Sequence, residues 1–410
     1  MSTAHLRFAP SPTGRLHPGN ARTALVNALL ARKWGGRFTL RIDDTDRSRA
    51  EPGAVEAIRA DLVWLGIPPD ALFHQSDRAE RYAAAAGALA KSGAAYQAEG
   101  AIRVALGGGV ERWEDGVHGA MAVGLDRHAD PVLVRADGRA TYTLASVIDD
   151  VDTGVTHVVR GDDHLTNTAV HRRLAGALGA APPAFAHLPL VVDAAGAPLS
   201  KRDAALTLAR LRALGVEPEP LAAYLAALGT GAPPTPGEAL AARVELAAFN
   251  TAAPVFDPDE LARVQERWLA GLDADAVDAR LAARGRAAVG AALWAAVHGN
   301  LKGGGEACWA GLPTLAALEH WRAVADGELA PDIDDADRAM LATAADQLTD
   351  DVDPEAWLAG LSAATGRRGK ALRLPIRRAL SGRSDGPPLG DLLALAGRER
   401  ARRRLRGERA

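Results

Sequence analysis

The first 66 residues alternate twice between a short strand and a longer helix, and this alternation limits the folds open to the chain. Residues 6–10, LRFAP, form an apolar run of strand length, and residues 18–34 carry Ala, Leu and Val on one helical face. A glycine turn and a second strand follow over residues 35–46, and a second helix covers residues 51–66. This order predicts a parallel sheet with crossover helices.

The pattern changes further along the chain. Residues 101–154 hold short strands separated by glycine-rich breakers, and residues 156–196 return to two strands with a helix between them. From about Pro218 onward the sequence is almost entirely helical, apart from GTGAPPTPG at residues 229–237, which is typical of a linker. The sequence therefore predicts an α/β amino-terminal half and an all-α carboxyl-terminal half.

Composition is that of an ordinary globular protein long enough for two or three domains. The chain has 410 residues, of which 48% are hydrophobic and 24% charged. Its start, MSTAHLRF, lacks the pattern of a signal peptide, and no apolar run approaches the roughly 20 residues that cross a bilayer. Cys308 is the single cysteine, which excludes an internal disulfide. We therefore expect a cytoplasmic protein without membrane association.

Positive charge is concentrated at the carboxyl terminus, although the whole chain has a net charge of -3. Residues 367–410 hold 14 Lys or Arg and 4 Asp or Glu, a local net charge of +10. Such a run is either a solvated helix face or a contact for nucleic-acid phosphates. The run alone does not distinguish these two interpretations.

The segment FAPSPTGRLHPGNARTAL, residues 8–25, lies where the first predicted strand ends, which is the edge at which open parallel sheets bind ligands. Its prolines stiffen the exit from the strand, and its glycines allow a sharp turn. Backbone amides near Gly19 open a helix and carry partial positive charge. With His17 and Thr13 as donors, the segment fits a phosphate-binding turn. It also fits a rigid capped turn with a surface histidine.

A second polar loop, APLSKRDAAL at residues 197–206, carries Ser200, Lys201 and Arg202 after a later strand. A lysine on such a loop, together with a histidine on a phosphate-binding turn, would stabilise charge that develops on a transferring phosphoryl group. Catalysis would then depend on positioning and electrostatics. In isolation, the same three residues are typical of a solvated surface.

Together, the two segments resemble the HIGH and KMSKS signatures of class I aminoacyl-tRNA synthetases. Four segments are similar to the glutamyl-tRNA synthetase family, in the same order: PSPTGRLHPGNARTAL, LRIDDTD, TYTLASVIDDVDTGVTHVVRGDDHLTNT and PLSKRD. Residues 369–390, GKALRLPIRRALSGRSDGPPLG, are similar to the end of the anticodon-binding domain of that family. The resemblance spans nearly the whole chain.

The resemblance implies an α/β fold with a Rossmann-type parallel-sheet catalytic domain, a short inserted acceptor-binding region and an all-α carboxyl-terminal anticodon-binding domain. The catalytic domain would comprise residues 1–94 and 141–228, the second half with the KMSKS-like loop and a stem-contact region. The shortened acceptor-stem insertion would be residues 95–140, and the anticodon-binding domain residues 238–410. Relatives usually have a longer insertion, sometimes with a zinc knuckle, so we expect no zinc here.

The implied activity is glutamate–tRNA ligation. L-glutamate would react with ATP and Mg²⁺ to give glutamyl-adenylate, and a monomeric enzyme would transfer the glutamyl group to the 3′ end of tRNA(Glu) alone or of tRNA(Gln) as well. One alternative is a synthetase-derived ligase that activates glutamate for a different acceptor. Another is a tRNA-binding paralogue without catalysis. An enzyme that loads glutamate onto a modified tRNA base is disfavoured, because such enzymes usually lack the helical domain.

The resemblance also implies roles for individual residues. Catalysis would involve His17 and Lys201. ATP would contact Thr13, His17, Gly19, Asn20, Ser200, Lys201 and Arg202. Glutamate would contact Arg7, Ala9, Ser11, Asp43, Tyr142, Arg160, Asp162 and His164. Phosphates of tRNA would contact Arg367, Arg368 and Lys370.

The chemistry of these residue types agrees with the implied roles. Arg7 or Arg160 can hold a side-chain carboxylate with two parallel hydrogen bonds, and Asp43 suits an ammonium group. Three departures from the family pattern stand out. Asp43 and Asp162 replace the longer glutamate, Asn20 replaces the second histidine of HIGH, and Pro198 replaces the first lysine of KMSKS.

Overall fold

The computed structural model describes residues 3–126, 129–199, 206–237, 239–301 and 312–410. The contacts of the chain divide it into two compact units, Met1–Asp257 and Pro258–Ala410. Residues 239–257 thus belong to the first unit, whereas the sequence places the start of the helical domain at residue 238. The fourfold division into domains stays a prediction. In the described segments, no helix is both long and apolar enough to cross a membrane.

The first unit alternates strands and helices as the sequence predicts. Its strands are β1 His5–Phe8, β2 Arg37–Ile42, β3 Ala71–His74, β4 Ala95–Ala98, β5 Ala101–Val104, β6 Val110–Asp115, β7 Gly119–Gly124, β8 Val132–Val134, β9 His157–Gly161 and β10 Ala184–Leu188. Its helices are α1 Pro18–Lys33, α2 Ala54–Trp64, α3 Ala79–Lys91, α4 Tyr142–Asp152, α5 Leu165–Ala177, α6 Leu208–Ala213, α7 Pro218–Ala227 and α8 Leu240–Arg243.

The central strands of this unit run parallel, which confirms the predicted α/β class. Strand β2 pairs with β1 and β3, and β10 pairs with β9. The start of β9 lies beside β1, because Thr156 N–H donates to the His5 carbonyl at 3.0 Å and His5 N–H donates to Thr156 Oγ1 at 2.8 Å. The spatial order is therefore β3-β2-β1-β9-β10. It reverses between β1 and β9, and ligands bind at such reversals in open parallel sheets.

Short antiparallel strands lie between α3 and α4. Strands β4, β5 and β8 form a three-stranded sheet, and β6 and β7 form a hairpin. Strand β6 pairs with β10 through Asp115 and Phe185, so the hairpin extends the parallel sheet at its β10 edge. This pairing places Asp115 next to His187 of β10.

Helix α1 packs against the parallel sheet and is buried along most of its length. Its residues from Ala24 to Ala31 are all buried, and the one polar residue among them, Asn27, donates to the carbonyls of Thr23 and Val159. The turn between α1 and β2 passes close to the start of the chain, and a Cβ at Gly36 would lie 2.1 Å from the Ala4 carbonyl oxygen. Only glycine permits this approach, which fixes the register in which β2 enters the sheet.

The second unit is helical, as predicted. Its helices are α9 Pro258–Ala270, α10 Ala274–Ala282, α11 Ala291–Val297, α12 Leu318–Ala325, α13 Arg338–Gln347, α14 Pro354–Thr365, α15 Lys370–Ser381, α16 Leu389–Ala396 and α17 Arg398–Leu405. Trp321 and Trp357 are buried in its core, and each indole N–H donates to a backbone carbonyl.

Arg404 is fully buried in the same unit. Its guanidinium donates to the carbonyls of Val324 at 2.8 Å, Leu380 at 3.1 Å and Ala410 at 2.6 Å. Burial lowers the pKa of Arg404 to about 10. Arg404 of α17 is thus bonded to carbonyls in the last turns of α12 and α15 and to the last residue of the chain.

Candidate active site

A cleft of about 660 Å³ opens at the carboxyl ends of β1, β9 and β10. It is lined by most of the residues that the sequence predicts to bind ATP and glutamate: Arg7, Ala9, Ser11, Thr13, His17, Gly19, Asn20, Asp43, Tyr142, Arg160 and His164. These residues come from segments far apart in sequence. They meet because parallel strands place their carboxyl ends at one edge of the sheet.

The remaining predicted residues of the site lie elsewhere or outside the described segments. Asp162 does not line this cleft, and its Oδ1 accepts a hydrogen bond from Leu190 N–H at 3.3 Å. Ser200, Lys201 and Arg202 lie outside the described residues. Leu199, the last described residue before them, lines the cleft.

His17 forms the N-cap of α1 and faces the cleft. Its Nδ1 accepts a hydrogen bond from Gly19 N–H at 3.2 Å, so the proton of the neutral ring lies on Nε2 and makes that atom a donor. A Cβ at Gly19 would lie 3.0 Å from Cε1 and 3.1 Å from Nδ1 of this ring. Glycine therefore lets the histidine lie against the helix start without displacement. Nearby, Oδ1 of Asn20 is buried without a hydrogen-bond partner in the described chain.

Arg160 is 6% exposed and is surrounded by neutral acceptors. Its Nε donates to His187 Nε2 at 3.3 Å, one terminal nitrogen donates to the Tyr142 hydroxyl at 3.3 Å, and the other donates to Thr168 Oγ1 at 2.8 Å and to the His164 carbonyl at 3.3 Å. Burial lowers the pKa of Arg160. Among the described residues it forms no ion pair. Because a buried charge without a counter-ion is costly, this part of the cleft suits an anionic ligand.

A network of buried charges lies beside Arg160. Arg41 donates through Nε to Asp43 Oδ1 at 2.7 Å and through a terminal nitrogen to Asp150 Oδ1 at 2.7 Å. Arg7 donates through Nε to the same Asp150 oxygen at 3.2 Å. Burial raises the pKa of Asp43 to about 6, although Arg41 acts in the opposite direction. These hydrogen bonds fix the side chains of Arg7 and Asp43 at the wall of the cleft, so that a guanidinium group and a carboxyl group lie side by side there.

A smaller cavity of about 130 Å³ adjoins the cleft and shares Ser11 and Tyr142 with it. Arg135 and Arg139, from the turn between β8 and α4, line this cavity. A terminal nitrogen of Arg139 lies 3.1 Å from Asp46 Oδ1, which joins the turn to the segment that follows β2. The cavity thus combines the wall of the cleft with two cations from the segment before α4.

The predicted tRNA contacts lie in the second unit and differ in whether their charge is already paired. The Arg367 guanidinium is paired with Asp337 and donates to the Ala336 carbonyl at 2.9 Å. Arg368 and Lys370 are exposed. Their role as tRNA contacts stays a prediction.

Several residues that organise the cleft were missed by sequence reasoning. Arg41 and Asp150 orient the charged wall, and Arg22 donates to the Pro189 carbonyl at 2.8 Å and to the Leu228 carbonyl at 2.9 Å. His187 accepts from Arg160. The signal that could have found them is a charged or imidazole side chain inside an otherwise apolar strand or helix, as in RFTLRI or AFAHL.

Two family models match the chain. The model of the catalytic domain of class I tRNA synthetases (E and Q) matches residues 3–102 and 99–254. The model of an anticodon-binding domain matches residues 329–408. The chain belongs to the class I tRNA synthetases of the glutamate and glutamine group. This membership confirms the family that the sequence motifs indicate.

Relatives match over the full length of the chain. It is 42% identical to glutamate–tRNA ligase 1 of Rhodospirillum rubrum, covering 100% of both chains. It is 43% identical to glutamate–tRNA ligase 2 of a Methylobacterium species, covering 99% of both. A glutamate tRNA ligase from Elizabethkingia meningosepticum, solved in complex with its amino acid, has a TM-score of 0.80 at 24% identity and covers 98% of both chains. That structure supports the predicted fold.

The alignments with these relatives contain gaps in this chain. The alignment with the Rhodospirillum rubrum protein spans 460 positions, whereas this chain has 410 residues. The match to the catalytic-domain model comes in two parts that overlap at residues 99–102, which form the turn after β4 and the start of β5. In the described part of the molecule, no group of three or more His, Cys, Asp or Glu side chains is placed to hold a metal ion.

Proposed function

We propose that the chain is a glutamate–tRNA ligase that activates L-glutamate as glutamyl-adenylate and transfers the glutamyl group to the 3′ end of tRNA. The observation that carries this proposal is the charge pattern of one cleft. Two buried arginines, Arg7 and Arg160, and Asp43, whose side chain is 6% exposed, face the same space as the turn at His17. The names of the relatives, glutamate–tRNA ligases, agree with this chemistry.

The charges of the cleft complement those of glutamate. Free glutamate carries two carboxylates and one ammonium group. Of the charged residues that line the cleft, Arg7 and Arg160 offer two guanidinium groups and Asp43 offers a carboxylate, while Arg22 is bonded to backbone carbonyls and Asp163 is largely exposed. Each arginine can hold a carboxylate through paired hydrogen bonds, which gives geometric selectivity as well as affinity. The ionised carboxylate of Asp43 would hold the ammonium group. An amino acid whose side chain lacks a carboxylate would leave one of the two arginines without an anionic group of the ligand, so it would bind poorly.

ATP would lie along the turn between Thr13 and Asn20. The Nε2–H of His17 would donate to a phosphate oxygen, helped by the partial positive charge at the start of α1. From the family resemblance, Lys201 would approach the phosphates from the opposite side. Mg²⁺, bound to the phosphates, would neutralise charge on the departing pyrophosphate.

The two reaction steps follow from this placement. An α-carboxylate oxygen of glutamate attacks the α-phosphorus, a new P–O bond forms, and pyrophosphate leaves with the bonding electrons. The terminal ribose hydroxyl of tRNA then attacks the activated carbonyl carbon, AMP leaves, and the hydroxyl proton is released. His17 and Lys201 would act by stabilising negative charge around phosphorus rather than by forming a covalent bond.

The acceptor end of tRNA would enter beside the glutamate. The smaller cavity with Arg135 and Arg139 adjoins the cleft at Tyr142, so cations lie where a phosphate backbone would approach. Exposed Arg368 and Lys370 would contact the tRNA further along. The protein would act as a monomer in the cytoplasm. It would charge tRNA(Glu), and the anticodon contacts would decide whether tRNA(Gln) is charged too.

The test is glutamate-dependent exchange between ATP and pyrophosphate, with and without tRNA, followed by acid-stable charging of tRNA(Glu) and tRNA(Gln) transcripts. We expect exchange in the presence of tRNA and charging of at least tRNA(Glu). Exchange without any tRNA requirement, combined with no charging, would favour a ligase for another acceptor. The absence of exchange under both conditions would contradict the proposed activity and favour an RNA-binding paralogue.

A further inference from the structure

We propose that Asp115 and His187 are positioning residues that fix the orientation of Arg160 for glutamate, an inference that rests on the proposed function of this arginine. Asp115 ends strand β6 of the hairpin, and His187 lies in the adjacent strand β10. Neither residue lines the cleft. They act on the substrate only through the guanidinium group.

The three side chains form a buried chain of hydrogen bonds. His187 Nδ1 lies 2.5 Å from Asp115 Oδ2, and Arg160 Nε donates to His187 Nε2 at 3.3 Å. Asp115 is 3% exposed and His187 is fully buried. Thr168 Oγ1, which also accepts from Arg160, lies 2.9 Å from His187 Nε2. The acceptor side of His187 therefore faces Arg160 and its closest partner.

Asp115 determines which ring nitrogen of His187 carries the proton. Burial acts to raise the pKa of Asp115, but hydrogen bonds from His187 and from backbone N–H groups lower it to about 2. The carboxylate is therefore ionised and can only accept, so the proton of His187 lies on Nδ1. Burial lowers the pKa of His187, against the effect of Asp115, and leaves the ring neutral at pH 7. Nε2 is then an acceptor for Arg160.

The geometry around Asp115 makes a one-atom substitution informative. Its Oδ1 accepts from three backbone N–H groups, those of His187 at 3.1 Å, Val117 at 3.0 Å and His118 at 3.1 Å. In Asp115→Asn these donors require the amide oxygen at the Oδ1 position, so the amide NH₂ group faces His187 Nδ1. The histidine must then accept at Nδ1 and carry its proton on Nε2. Thr168 Oγ1, at 2.9 Å from Nε2, can accept that proton, whereas Arg160 Nε loses its acceptor.

The expected result is a selective loss of glutamate affinity in Asp115→Asn. In ATP–pyrophosphate exchange with tRNA present, we expect the KM for glutamate to rise roughly tenfold or more, which corresponds to about 1.4 kcal/mol. The KM for ATP should stay within twofold, because His17 and the α1 turn are not part of the chain of hydrogen bonds. A role limited to folding of the hairpin would not separate the two KM values.

The matched control is Asp126→Asn, which makes the same change in the segment that follows the same hairpin. Asp126 Oδ1 accepts from Gly109 N–H at 2.9 Å, and none of its described contacts involves His187 or Arg160. A second pair of variants tests the histidine directly. In His187→Gln the amide oxygen can replace Nε2 as acceptor without help from Asp115, whereas His187→Leu provides no acceptor. We therefore expect a glutamate KM close to wild type for glutamine and a raised KM for leucine.

The tautomer itself can be observed in protein with ¹⁵N-labelled histidine. The ring of His187 should show a protonated Nδ1 in the wild type and a protonated Nε2 in Asp115→Asn. If Asp115→Asn does not fold, the comparison of His187→Gln with His187→Leu tests the same claim. Adding Asp115→Asn to His187→Gln should change the glutamate KM less than twofold, because the glutamine no longer depends on residue 115.

Three results would overturn the inference. They are a glutamate KM in Asp115→Asn no higher than in Asp126→Asn, equal KM values for His187→Gln and His187→Leu, or an unchanged tautomer in Asp115→Asn. A wild-type protein without glutamate-dependent exchange would instead refute the proposed function. The two failures are distinguishable, because the tautomer of His187 is measured without any turnover.

Discussion

Replacing Arg160 by methionine removes a buried positive charge while retaining much of the side-chain volume. In the ligand-free protein the neighbours keep other partners, because Thr168 Oγ1 lies 2.9 Å from His187 Nε2 and 3.3 Å from the His164 carbonyl. The substitution also removes a guanidinium group that has no counter-ion in the described chain. We therefore expect the melting temperature of the ligand-free protein not to fall.

Although Arg160→Met should not lower the melting temperature, it should greatly lower the activity. Truncating one partner of a buried, hydrogen-bonded charge pair costs about 2–5 kcal/mol, which corresponds to a loss of roughly 30-fold to several thousandfold in kcat/KM for glutamate. Arg160→Lys should lie between methionine and wild type, because it keeps the charge but loses the paired hydrogen bonds. Arg32→Met, at an exposed position of α1, is the control for loss of an arginine far from the cleft.

The assay is ATP–pyrophosphate exchange with tRNA, titrated with glutamate, together with thermal melting with and without glutamate. Saturating glutamate should raise the melting temperature of the wild type and leave that of Arg160→Met unchanged. The reasoning is refuted if kcat/KM of Arg160→Met stays within fivefold of wild type. It is also refuted if the ligand-free variant melts several degrees lower, since the loss would then come from unfolding.

Three further predictions follow from other parts of the molecule. Gly19→Ala should lower the rate of activation roughly tenfold at normal glutamate KM, because the new Cβ would displace the His17 ring by a few tenths of an ångström; exchange with varied ATP measures this. The glutamate KM should rise as the pH falls through about 6, where Asp43 gains a proton and no longer holds the ammonium group. A pH profile of the glutamate KM measures this rise, and Asp43→Asn should abolish it. Arg404→Met should lower the free energy of unfolding by roughly 2–6 kcal/mol, since at least two buried carbonyls lose their donor; urea unfolding measures the change.

Each of these predictions has a result that contradicts it. An ATP dependence and rate in Gly19→Ala equal to wild type would show that the His17 ring tolerates the added methyl group. A glutamate KM that is flat between pH 5 and pH 7 would show that Asp43 does not hold the ammonium. An Arg404→Met protein as stable as wild type would mean that its carbonyl partners find other donors.

Much of the fold and of the cleft could be predicted from local sequence patterns. The residues of the turn between β1 and α1, from Ser11 to Asn20, are contiguous, and their prolines, glycines and capping histidine indicate their structure directly. The ends of parallel strands share one edge, so Arg160 could be placed near this turn without knowledge of side-chain contacts. The family resemblance then gave these residues chemical roles.

The partners of the buried charges could not be predicted in the same way. Whether Asp115 reaches His187 depends on the pairing of β6 with β10, which are separated in sequence by three strands and two helices. The contact of Arg41 with Asp150 likewise joins a strand to a later helix. Such pairings are set by tertiary packing, and a single sequence gives little information about them.

The hairpin of β6 and β7 sets a lower limit on how far this part of the chain can be trimmed. Strands β4 and β5 are already joined by the short turn at Glu99 and Gly100, so no residues can be removed between them. Strand β6 cannot be removed either, because its last residue, Asp115, is hydrogen-bonded to His187, which in turn contacts Arg160. On the proposed role of Arg160, a shortened form of this protein would therefore have to retain the hairpin in order to select glutamate.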